Sequence, residues 1–156
     1  MTYAIVGLPL APFQAYFGLS EEALSAQNIR RVTATRQGRY PCRITLQDAL
    51  EGETLLLLNH EYQSAETPYR GRHAIFVNER ATVPARYVDA LPPVLANREA
   101  ISVRAFDQED MMLDAMVVSG PRLDEAILRL FSDPNATYLH AHNAARGCFA
   151  ARIDRA

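Results

Sequence analysis

The side chains best able to do chemistry crowd into Tyr138-Leu139-His140-Ala141-His142-Asn143 and the Gly147-Cys148 that follows it. At the strand period of two, His140 and His142 project from one face, the spacing by which many metal sites take two imidazoles. A divalent ion would still need a third ligand, for which His73, His60, Glu61, Asp114 or a cysteine are the candidates. Without an ion, paired histidines on a half-buried strand are usually hydrogen-bonded structural groups. Tyr138 shares their face while Leu139 and Ala141 take the other, so the histidines are expected to line a polar cleft together with His73. A dry second layer is disfavoured, because each unsatisfied polar group costs about 1–3 kcal/mol.

Cys148 offers a second chemistry, a thiol nucleophile with His142 as its base. The hairpin register decides this. A four-residue loop sets Asn143 opposite Cys148 and turns the thiol away from the histidines, whereas a loop of three or five residues, or a bulge, brings them to one face. The inert alternative is a small buried hydrophobe, for Cys148 as for Cys42 between Pro41 and Arg43. Arg43, Arg70, Arg72 and Arg104 stand beside strand ends or turns, where guanidinium groups can hold a carboxylate or phosphate. The apolar run Leu55 to Leu58 turns polar at Asn59-His60-Glu61, as a buried strand does on entering a site. The ligand-binding candidates are therefore Arg43, Asn59, Tyr69, Arg70, Arg104 and Asn143. Surface ion pairs are the plainer account of any single arginine.

Several chemistries are excluded by what is missing. All 16 basic residues are arginines, which leaves no Schiff-base lysine for pyridoxal phosphate and no phosphate-loop lysine for ATP. The seven glycines never form G-x-G-x-x-G, so no NAD or flavin fingerprint exists, and G-x-S-x-G and H-E-x-x-H are absent too. The net charge of −2 gives no general pull toward nucleic acid. No apolar run approaches the roughly 18 residues that span a bilayer. The opening residues alternate like a strand and lack a basic leader, so the expected location is the cytoplasm, with Cys42 and Cys148 unpaired.

At 156 residues, without repeats or linkers, a single domain over 1–156 is expected. The elements that must carry these side chains are strands at 2–7, 29–36, 54–62, 73–77, 101–106 and 111–118, and a hairpin of 137–143 and 148–154 across Ala144 to Gly147. A short helix is expected over Phe13 to Phe17, and Ser20 caps another whose Glu21 and Glu22 suit its positive end. The clearest helix is 122–132, where Leu123, Ala126, Ile127, Leu130 and Phe131 make one apolar stripe. Together they predict an α+β fold, a mostly antiparallel sheet with helices packed on one side, or else a half-open barrel.

Tyr40-Pro41-Cys42-Arg43, Leu57 to Glu61, Thr67-Pro68-Tyr69-Arg70, His73 to Val77, Val103 to Asp107, His140 to Ala144 and Gly147 to Ala150 together resemble a small bacterial family, the domain of unknown function numbered twelve hundred and three. The resemblance implies a single-domain bacterial protein and assigns no activity, cofactor or catalytic residue. Two readings follow from the residues. One is a small enzyme or enzyme-like protein acting on a small anionic molecule, with His140, His142, Cys148 and His73 as its catalytic set. The other is a non-catalytic module that binds a small anion or a peptide.

Overall fold

The computed structural model describes residues 2–156 and folds them into two antiparallel sheets with short helices packed against them. The larger sheet has the order β5 (Arg86–Val88), β1 (Tyr3–Val6), β9 (Phe149–Arg155), β8 (Tyr138–Asn143), β6 (Ile101–Phe106), β7 (Met112–Val118). The smaller has β2 (Arg30–Thr33), β3 (Thr54–Gln63) and β4 (Gly71–Asn78). Neither sheet closes on itself, so the half-open barrel gives way to a pair of open sheets.

Alternation along the strands decides which face of the large sheet meets helices. Ile101, Val103, Ala105, Leu139, Ala141 and Ile153 point one way and are buried beneath α4 (Leu123–Leu130). That helix begins after a 3-10 turn at Gly120–Arg122 and presents Leu123, Ala126, Ile127 and Leu130, the stripe its periodicity predicts. It ends earlier than the expected 132, although Phe131 still packs in the same core. Tyr3 ties the far side of the sheet to the helix by donating its hydroxyl to Asp124 at 2.6 Å.

The small sheet builds a second core from Leu56, Leu58, Ile75 and Val77, against Phe13 of α1 (Ala11–Gln14) and Leu24 of α2 (Glu21–Ser25). Ser20 caps α2 by accepting from the Ala23 amide at 3.1 Å. The first helix sits two residues earlier than Phe13 to Phe17, and β2 is shorter than 29–36 because the chain leaves the ladder after Thr33. The segment 86–96, to which the sequence reading assigns no element, contains edge strand β5 and the short helix α3 (Pro93–Ala96).

The chain between β2 and β3 couples the two sheets. Cys42 bridges to Phe76, Leu8 donates its amide to the Arg43 carbonyl at 2.7 Å, and Gly7 donates to Ala85 at 2.9 Å. Gly7 is needed for this approach, since a Cβ there would lie 1.9 Å from the Ile44 carbonyl oxygen, a contact backbone cannot yield to. This threading places Arg43 between the sheets.

Candidate functional site

The opposite face of the large sheet is set by the intervening residues. Along one row of cross-strand neighbours stand Arg152, His140 and Arg104, along the next Asp154, Tyr138 and Phe106, and along a third Phe149, His142 and Ser102. The small sheet covers this face with Tyr62 and His60 from β3. Tyr62 meets His142 edge-on at 4.9 Å between centroids and stacks on Phe149 at 5.8 Å. His60 lies between Phe13 and Phe149, and directly across β3 and β4 it pairs with His73. The expected open cleft over His140 and His142 is therefore a covered inter-sheet layer, in which they are 2% and 0% exposed. Tyr62, stacked on Phe149, supplies the aromatic surface that closes it.

Burial governs the chemistry of these rings. His140 is pushed down to about 3, chiefly by desolvation and then by the charges of His142, Arg152 and Arg104. His142 is pushed down to about 4 by desolvation, opposed by its bond to the Gly147 carbonyl. Both are neutral at physiological pH. The His142 Nδ1 to Gly147 oxygen distance of 3.0 Å places the proton of the neutral ring on Nδ1, because a carbonyl only accepts. His142 Nε2 is then a bare lone pair, buried and without a partner among the described residues, and His140 Nδ1 is equally without one.

Two guanidinium groups border this layer without an acidic partner among the described residues. Arg43 is 2% exposed and donates to the Phe149 carbonyl at 2.8 Å and to the Pro41 carbonyl at 2.5 Å. Arg104 is half-buried, donates through Nε to Ser102 Oγ at 3.3 Å, and has no other acceptor among the described residues. Both charges bear on His142 and lower its affinity for a proton. His60 is lowered as well, by desolvation first and then by Arg72 and Arg43. The layer is thus electropositive, with Arg104 N–H groups left without an acceptor among the described residues, a setting that favours an incoming anion.

The remaining candidates divide. Tyr69 reaches the layer, edge-on to Phe106 at 5.9 Å, and half-buried His73 bears electrostatically on His142. Asn59 and Arg70 do not reach it. They lie on the outer face of the small sheet, where Asn59 accepts from Arg72 at 2.6 Å and Arg70 pairs with Glu61 at 3.3 Å. The alternation that sends His60 inward sends Asn59 and Glu61 outward.

The hairpin takes the four-residue loop. Asn143 donates its amide to the Cys148 carbonyl at 3.0 Å, and Gly147 turns the chain with φ +77°. Cys148 consequently faces Asn143, whose Nδ2 lies 3.3 Å from its sulfur, and not His142. A bulge places Phe149 opposite His142, so the extra residue falls beyond the thiol and does not return it to the histidines. Arg43 also donates toward Cys148. Cys42 is fully buried, its sulfur facing the amides of Ile44, Thr45 and Asn78, and both cysteines are free. Among the described residues no group of three His, Cys, Asp or Glu is placed to hold a metal ion.

Residues not singled out from the sequence complete the layer: Ser102, Tyr62, Phe149 and Gln63. Gln63 and Asp110 hold the Tyr138 hydroxyl at 2.7 and 2.6 Å, and Arg152 lies 3.8 Å above its ring. Burial and Asp110 push that hydroxyl up to about 12. The signal for Ser102 was present in Ile101-Ser102-Val103-Arg104-Ala105, where two polar residues alternate with apolar ones. A cavity of about 200 Å³ opens elsewhere, beneath the end of α4 beside Asp114, Arg129 and Asp133. It lies on the helical face, and the buried unpaired ring nitrogens are not in it.

A family model matches residues 39–155, three quarters of the chain and every residue of the inter-sheet layer from Arg43 to Arg152. The chain belongs to the family described as Protein of unknown function (DUF1203). No curated protein and no solved structure matches it. The family description carries no chemistry, so the inter-sheet geometry has to supply it. Among the described residues no helix is long and apolar enough to cross a membrane.

Proposed function

We propose that this member of the family is a small, single-domain bacterial cytoplasmic enzyme that acts on a small anionic molecule at the layer between its sheets. The observation that carries the reading is one of unmet valence: two buried neutral imidazoles with unpaired nitrogens beside Arg43 and Arg104, neither of which has a carboxylate partner among the described residues. Arg104 is the residue to receive the anion, being half-buried with N–H groups that have no acceptor among the described residues, while Arg43 is committed to two carbonyls and contributes its charge. His142 Nε2 is placed to take a proton or a hydrogen bond from the same molecule. An anion bound beside it offsets the guanidinium charges and raises the ring's proton affinity toward neutrality, which is what a general base requires.

Titration calorimetry with inorganic phosphate and with short carboxylic acids tests this directly. Wild-type protein is expected to bind at least one of them, and Arg104→Gln to bind about 10–100-fold more weakly, the range of one charge-assisted hydrogen bond of about 1.5–3 kcal/mol. Heat signals equal in the two proteins, or absent from the wild type, would contradict the reading. Binding without turnover of any ester or phosphate ester would favour the non-catalytic anion module, for which deep burial of both imidazoles already speaks.

A further inference from the structure

We infer that Ser102 and His142 form a nucleophile and base for acyl transfer, with Arg104 receiving the developing oxyanion and Gly147 holding the base in its working tautomer. This deepens the anion-site reading and rests on it, since Arg104 is the anion-binding group in both.

Four observations converge. Ser102 and His142 are direct cross-strand partners of β6 and β8, so their side chains leave the same face with Cβ atoms about 5 Å apart. His142 donates from Nδ1 to the Gly147 carbonyl, which leaves Nε2 bare and unpaired. A base oriented by a hydrogen bond to its far nitrogen is the arrangement that activates a serine, here with a backbone carbonyl as the orienting group. Arg104 leans along β6 to donate Nε to Ser102 Oγ at 3.3 Å, and its remaining N–H groups find no acceptor among the described residues. Finally, the layer grades from closed to open across these residues: His142 is fully buried, while Ser102 and Arg104 are half-buried. A substrate arriving at β6 meets the hydroxyl and the guanidinium first and the imidazole behind them. His142 Nε2 has no bond to Ser102 in the free chain, and nucleophile–base contacts of this kind tighten when substrate is present.

The substrate class is an ester or thioester of a small acid. Ser102 Oγ forms a bond to the acyl carbon as its proton passes to His142 Nε2, and the carbonyl π pair moves onto oxygen beside the Arg104 Nη groups. The intermediate collapses by breaking the bond to the alcohol or thiol, which leaves with the proton from His142. Water then attacks the acyl-serine, gives its proton to the same nitrogen, and releases the carboxylic acid and Ser102, the ring's proton returning to Oγ. The carboxylate product is the anion that the calorimetric experiment detects.

A fluorophosphonate reagent is the probe. Its phosphorus takes the place of the acyl carbon, fluoride leaves, and the displaced proton is taken by His142. Peptide mass mapping of the full chain is expected to find one adduct, on Ser102, absent in Ser102→Ala and formed at least about 100-fold more slowly in His142→Gln, the lower end of what a positioned base contributes. Should His142→Gln fail to fold, Ser102→Cys serves instead. Mapped alkylation of that thiol by iodoacetamide in otherwise wild-type protein should be at least about 10-fold faster at neutral pH than that of a free cysteine, because the imidazole raises its thiolate fraction. Absence of an adduct on Ser102, labelling at an undiminished rate in His142→Gln, or ordinary Ser102→Cys alkylation would each overturn the inference. Phosphate or carboxylate binding that persists in such a protein would leave the anion site standing while removing the serine chemistry from it.

Discussion

The two faces of the large sheet are made by the same strands and do opposite work. On β6 and β8, Ile101, Val103, Ala105, Leu139 and Ala141 face α4 and carry no side-chain polar group, while Ser102, Arg104, Tyr138, His140 and His142 face the small sheet. Both faces are covered, yet only one is satisfied. Against α4 the buried contacts are apolar apart from the paired Tyr3 hydroxyl on Asp124, and apolar burial contributes roughly 25 cal/mol per Å² removed from water. Against the small sheet, two imidazoles are buried with nitrogens unpaired, which costs on the order of 1–3 kcal/mol for each such group. The helical face carries the stability that the imidazole face gives up.

The largest effect should come from breaking the helical face. Ile127 is fully buried in its core, and Ile127→Ala should lower unfolding free energy by about 2–5 kcal/mol in a urea titration at neutral pH. A loss below about 0.5 kcal/mol, the scale of a surface change, would mean that this face does not hold the fold.

Next in size is acid sensitivity, which belongs to the other face. His140 and His142 have folded-state pKa values of about 3 and about 4, below the ordinary 6.5. Between those limits the unfolded chain binds protons that the native rings refuse, so stability is intact above about pH 6.5 and falls as pH drops toward 4. Near pH 5 the loss should be about 2 kcal/mol for each ring. Denaturant titrations at about pH 7 and pH 5 measure it, and His140→Phe should remove about half of the difference. A stability that is flat across this window would show that the rings are solvated.

The smallest effect marks the boundary of the site. Arg70 and Glu61 form an exposed pair on the outer face of the small sheet, so Arg70→Ala should change stability by less than about 1 kcal/mol and leave anion binding unchanged. Weakened phosphate binding in that variant would extend the site around the sheet edge.

How much of this was legible in the sequence follows from what each feature depends on. Helix α4 and strands β3, β6 and β8 were readable because their periodicity is a property of consecutive residues. The common face of His140 and His142 was readable for the same reason. That this face would be covered was not, because the cover comes from Tyr62 and Phe149, which meet it through tertiary packing and through a bulge that no local pattern announces. Asn59 and Arg70 were grouped with the site because they stand near polar strand ends in sequence, whereas strand parity sends Asn59 outward and Arg70, in the turn before β4, pairs with outward-facing Glu61. Cys148 depended on a loop length that only the formed hairpin decides, and Ser102 became visible once the β6–β8 register set it opposite His142. Strands β2 and β5 were blurred or overlooked because edge strands of three or four residues carry little periodic signal.

The protonation state of His142 is the most direct test of this picture, because the base, the anion site and the acid sensitivity all depend on it. Long-range ¹H–¹⁵N spectra of imidazole-labelled protein report both ring nitrogens as pH is lowered from about 7. The structure predicts a neutral ring protonated at Nδ1 and bare at Nε2, unchanged down to about pH 5, with the Nε2 resonance moving when phosphate is added. A ring that is cationic by about pH 6, or one that carries its proton on Nε2, would contradict the account.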